Sequence, residues 1–224
     1  MRARALAAAT GLAGTLFVLT PAHANTVWDF STPTGALGQS HNYTGNDGTS
    51  VINAQAFGPN GSGSGLPGPV QLFGKNLGSD ELGLGLTNDP SGDNEITPGS
   101  FVQLDLTKLV LSSLTMSFSA NSVTSPETVQ VFGSNTSGVL GAGPPLFTCT
   151  ATLPGTCEQD VNIAGAGSFK FLDVTAFGDA SNVLLHTVDA AVVPGPIVGA
   201  GLPGLVAACG GLLALVRRRR QRVA

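Results

Sequence analysis

Three observations predict an all-β fold, an antiparallel β-sandwich or jelly roll, for the middle of this 224-residue chain. Apolar residues alternate with period two in short stretches, clusters of Gly, Asn, Asp, Ser and Pro divide those stretches, and no helical periodicity interrupts them. Taken in order, Val27 to Phe30, Val51 to Phe57, Val70 to Phe73 and Leu82 to Leu86 are the first candidate strands. Phe101 to Leu106 follows, with Val102, Leu104 and Leu106 on one face, and then Leu114, Met116, Phe118 and Ala120 repeat the alternation. Val129 with Val131 and Phe169 with Phe171 continue it, while Val183 to Val188 is apolar on both faces. About ten short strands of this kind favour two packed sheets. Gly58 to Pro69 (GPNGSGSGLPGP) has the composition of a flexible loop or linker. If it is a linker, Asn25 to Phe57 is a strand arm rather than a second domain, because so short a segment buries no core alone.

Both ends of the chain read as addresses. Residues 1–24 have the parts of a secretory signal peptide: Arg2 and Arg4, an apolar run from Ala5 to Leu19, and the small pair Ala22 and Ala24 that sets cleavage before Asn25. That apolar run is short of the ~20 residues a membrane span needs. At the other end, Ile197 to Val216 is apolar over 20 residues, about 30 Å as a helix. Arg217, Arg218, Arg219, Arg220 and Arg222 follow directly, and a basic block behind an apolar span stops translocation. Neither a nucleic-acid patch nor a buried core helix explains why the two abut at the end of a secreted chain. The expected division is therefore a signal peptide (1–24), a secreted domain (25–192) and a C-terminal segment (193–224) holding one membrane span at 197–216 and the arginine cluster at 217–222.

Charge separates these parts. The secreted domain keeps three lysines (Lys75, Lys108 and Lys170) against all 14 carboxylates, a net charge of −11 with no arginine. Such a surface does not bind nucleic acid or anionic lipid through charge.

Val193, Pro194, Gly195 and Pro196 precede the span, and prolines that fix φ and lack a donor keep this segment extended. The stretch VPGPIVGAGLPGLVAACGGLLALVRRRRQ resembles the PEP-CTERM sorting signal of bacterial surface proteins: a short Val-Pro motif, an apolar helix and an arginine cluster. It departs from that family in carrying Gly195 where an acidic residue is usual. The resemblance implies processing near the motif by a membrane-embedded exosortase-like transpeptidase, and association with extracellular polysaccharide. More loosely, GLGLTNDPSGDNEITPGSFVQLDL and SFKFLDVTAFGDASNVLLHTVDA resemble galactose-binding-like jelly-roll ectodomains of that family, which implies architecture rather than activity.

Within the domain, Cys149 and Cys157 flank Pro154-Gly155. Two strands joined by a turn there would set the sulfurs opposite each other, and export makes a disulfide the expected state over free thiols or partnerless metal ligands. Asp89, Asp93, Asn94 and Glu95 are the densest group of oxygen ligands. Calcium takes six to eight oxygens, and a Gly/Pro-rich turn supplies them; the same residues equally suit an ordinary solvated bend, and the spacing is not that of an EF-hand. His41 and His186 lie in no hydrolase motif, and no carboxylate pair stands out for glycoside cleavage. Trp28 and Tyr43 are the one Trp and one Tyr available for sugar stacking, which tells against a strong glycan platform. The expected protein is a non-enzymatic, exported β-sandwich: an inner-membrane-anchored precursor bound for the cell surface or extracellular matrix. A calcium-dependent carbohydrate-binding module is the alternative, with an extracellular hydrolase behind it.

Overall fold

The computed structural model describes residues 24–58, 70–78, 81–87, 89, 92–120, 126–152, 157, 159–178 and 181–192. Among them run thirteen strands and one short 3-10 helix, Ala166–Ser168. The strands are β1 (Ala24–Asp29), β2 (Gly35–Gly38), β3 (Ser40–Thr44), β4 (Val51–Phe57), β5 (Leu72–Asn76), β6 (Leu82–Leu86) and β7 (Phe101–Asp105), then β8 (Leu111–Ser119), β9 (Glu127–Ser134), β10 (Phe147–Ala151), β11 (Val161–Asn162), β12 (Phe171–Phe177) and β13 (Leu184–Val192). They form two antiparallel sheets. One has the order β11-β8-β13-β6-β5-β2, with β1 also paired to β13; the other has the order β10-β9-β12-β7-β4-β3.

The expected β-sandwich is therefore present, and one core lies between its sheets. β4 shows how the sequence produces it: Ile52, Ala54 and Ala56 point inward and are fully buried, while Val51, Asn53, Gln55 and Phe57 alternate outward. Val102, Leu104, Leu172 and Val174 fill the same layer from the second sheet, and Leu72, Leu84, Leu114, Met116 and Phe118 from the first. Trp28 closes the core on the β1 side, and its indole N–H donates to Ser50 O at 3.1 Å, so burying the ring leaves no orphan donor. The segment before the Gly/Pro-rich stretch belongs to both sheets, with β1 on β13 and β4 on β7.

Two expectations about strand faces change. Phe169 is no strand residue: it caps the 3-10 helix, and β12 begins at Phe171. The inward set there is Leu172, Val174 and Ala176, the opposite parity from Phe171. Phe169 instead packs over Gly133 of β9, where a Cβ would come within 2.4 Å of its ring. The doubly apolar β13 is real and has a cause. Its ladder to β8 shifts register between Leu185 and Thr187, and residues 92–96 run beside it, with Ile96 bridged to Val183. Leu184 and Leu185 are buried on opposite sides as a result.

Candidate functional site

The outer face of the first sheet carries a cleft between β5 and the segment that leads from β6 to β7. Phe73 and Lys75 of β5 stand opposite Gly85 and Gly83 of β6 in the ladder, so two long side chains face two bare positions. Gly85 lets the following loop lie flat on the strand: a Cβ there would sit 2.1 Å from Asn94 O and 2.9 Å from Glu95 Cα. Gly83, at φ 136°, admits Leu185 O, which a Cβ there would meet at 2.4 Å. The loop thereby delivers Glu95 to Lys75.

Lys75 is buried and donates from Nζ to Glu81 and to Glu95, each at 2.8 Å. Burial alone would depress an ammonium, but hydrogen bonds and charge from the two carboxylates outweigh it and hold the Lys75 pKa above its ordinary value. Burial also pushes the Glu95 carboxyl up, against the pull of Lys75. Beside this trio the cleft has a volume of roughly 380 Å³, walled by Thr34, Phe73, Asn76, Leu77, Asp93 and Asn94. Asn94 holds φ 61°, the left-handed region that asparagine tolerates, and its amide donates to Gly92 O at 3.4 Å.

The four residues read as an oxygen cluster are thus divided among different tasks. Asp93 and Asn94 line the cleft, Glu95 pairs with Lys75, and Asp89 Oδ2 accepts from the Glu95 backbone N–H at 3.3 Å. Among the described residues no three His, Cys, Asp or Glu side chains form a set suited to a metal ion. Lys75 was not singled out in the sequence. Its signal was there in retrospect, as one lysine inside an apolar strand with glycines across the ladder.

A second polar group lies on the outer face of the other sheet. Gln103 and Asp173, adjacent on β7 and β12, are 1% and 0% exposed. Gln103 Nε2 donates to Asp173 Oδ1 at 2.8 Å, Gly141 N–H donates to Asp173 Oδ2 at 2.9 Å, and Gly138 N–H donates to Gln103 Oε1 at 2.9 Å. The connection from β9 to β10 is therefore strapped across this face, with the position of Gly138 close against the Phe57 ring. Burial raises the Asp173 pKa to about 6, although both hydrogen bonds act to lower it.

The disulfide between Cys149 and Cys157 is present, but it does not pin a hairpin. Cys149 sits in β10, at the edge of the second sheet, whereas Cys157 O accepts from the Phe118 N–H of β8 in the first. The bridge clasps the two sheets where the chain crosses between them, because β11 pairs with β8 rather than with β10.

Trp28 and Tyr43 are both in the core, so neither presents a ring to a ligand. His41 stands in edge strand β3 and meets Tyr43 edge-on, while His186 belongs to β13 of the other sheet. Of the cleavage residues, Ala24 and Asn25 open β1. Ala22, Val193 to Pro196, the span 197–216 and the arginines 217–222 lie outside the described residues, among which no helix is long and apolar enough to cross a membrane. Comparison with known proteins returns nothing: no family model, no curated protein and no solved structure matches the chain.

Proposed function

We propose that this chain is an exported, non-enzymatic surface or matrix protein, held at the membrane by a variant PEP-CTERM sorting signal and processed there by an exosortase-like enzyme. The pairing of the first and last described strands is the observation that favours this most. β1 runs antiparallel to β13 with Ala24 opposite Val192, so the two expected processing points leave the sandwich side by side. A tether at that end leaves the rest of the acidic surface facing outward. The buried Cys157 in a sheet-to-sheet disulfide also suits an oxidising compartment. The body is read as a jelly roll of the type that the family's ectodomains suggest.

Mass spectrometry of the mature protein from its host, recording both termini, tests this. The expected product starts at Asn25 and ends between Val193 and Ile197. A product that keeps Arg217 to Arg222 means a permanent single-span anchor and ends the sorting-enzyme reading.

A further inference from the structure

We infer that the cleft beside Lys75 binds a neutral saccharide unit, an inference that gives a ligand class to the matrix role proposed above and rests on it. The cleft, at roughly 380 Å³, lies toward the small end of the ~300–1,000 Å³ range of ligand sites. Its walls offer two amides (Asn76 and Asn94) and the Thr34 hydroxyl. An amide carries both a donor and an acceptor, the paired character of neighbouring sugar hydroxyls. Phe73 and Leu77 supply an apolar surface for the C–H face of a sugar ring, and Leu77 is 74% exposed, the most exposed large apolar side chain among the described residues.

Charge narrows the class. Among the described residues that line the cleft, Lys75 is the one cation and already donates to Glu81 and Glu95, while Asp93 adds a further carboxylate. Anionic ligands such as uronates, phosphates or sulfates meet net negative potential there, within a domain of net charge −11. The wall is also preorganised. Gly85 seats Asn94 and Glu95 on β6, and the Lys75–Glu95 pair holds them there, so little ordering remains for a ligand to cause at these two residues. A single sugar binds weakly in such a cleft, and repeated units of a polymer with many tethered copies add avidity.

The test is retention of the full-length chain, purified in detergent, on immobilised dextran and on an uncharged galactan, with alginate as the anionic comparison. The expected result is retention on at least one neutral matrix, none on alginate, and no change with EDTA. Asn94→Gly and Asn76→Ala are each expected to weaken retention about tenfold. Glycine accepts the φ of 61° at position 94, and Asn76 is exposed, so both variants keep the fold, which an unchanged thermal midpoint verifies. Ser112→Ala, in a separate groove between β8 and the 3-10 helix, is expected to retain like wild type. Absence of retention on both neutral matrices, preference for alginate, loss with EDTA, or indifference to both asparagine variants overturns the inference. The termini of the mature protein are read independently. Lost saccharide binding leaves the export reading standing, and an uncleaved tail leaves the cleft's binding standing.

Discussion

Lys75 is the residue on which the β5–β6 face depends. A buried ammonium is costly unless carboxylates surround it, and here two do so at 2.8 Å. The partners differ in weight, since the Glu81 side chain is 45% exposed and that of Glu95 only 13%. Removing the cation therefore matters chiefly through Glu95. Lys75→Met is expected to destabilise the fold by about 3 kcal/mol, read from the urea midpoint at neutral pH. Glu81→Gln, at the exposed partner, is expected to cost under ~1 kcal/mol in the same measurement. Neither role was legible in the sequence. Asp89 to Glu95 stood out there as a run of oxygen ligands, because spacing along the chain shows which acids are neighbours but not which strand brings a lysine across to them.

At the scale of elements, the strands that alternate were legible and the ones at the edges were not. β4 and β6 keep the bounds read from the sequence, since Val51–Phe57 sets Ile52, Ala54 and Ala56 on one face against Asn53 and Gln55 on the other, and Leu82–Leu86 places leucine at every second residue. β2 and β3 carry glycine, serine, asparagine and histidine at sheet edges, where half the positions face water and no apolar pattern is required. The β6 glycines read as strand residues, yet their purpose appears only with the loop above them. Gly85→Ala is expected to lift residues 92–95, loosen the Lys75–Glu95 pair and cost about 1–3 kcal/mol, seen as faster amide exchange in that loop as well as a lower unfolding midpoint. The cysteine pair was legible as a disulfide, but its place was not, because a separation of eight residues suits a hairpin and a sheet crossing alike. Reducing the bond is expected to cost about 2–3 kcal/mol, measured by chemical unfolding with and without reductant. The β10 edge should lose protection first.

For the whole molecule, buried Asp173 and exposed Asp47 pull the response to pH in opposite directions. Asp173 has a pKa of about 6 in the fold against an ordinary 3.8, so the folded protein binds that proton more tightly than the unfolded chain. Its contribution therefore grows as pH falls from 7, and it is complete below about pH 4. The difference corresponds to about 3 kcal/mol. Asp47 acts in the opposite sense. Burial pushes its carboxyl up, but hydrogen bonds from Ser50, Thr49 and Thr26 prevail and hold it well below the usual range, so its contribution is lost as pH drops below about 4. Stability is thus expected to peak near pH 4–5, measured as the denaturant midpoint across pH 3–8, and Asp173→Asn should remove most of the rise between pH 7 and 5. The pairing of the first and last strands has a mechanical consequence. Because Ala24 faces Val192, pulling the two ends apart opens the β1–β13 ladder one rung at a time, like a zip, and resists little. A load entering through Val192 and borne by the opposite pole of the sandwich instead pulls β13 lengthwise. That strand is nine residues long and gripped by β8 along one edge and by β1 and β6 along the other, so many rungs must fail at once. Suspended from its C-terminal strand, the domain is strong under tension in one direction and yields readily in the other.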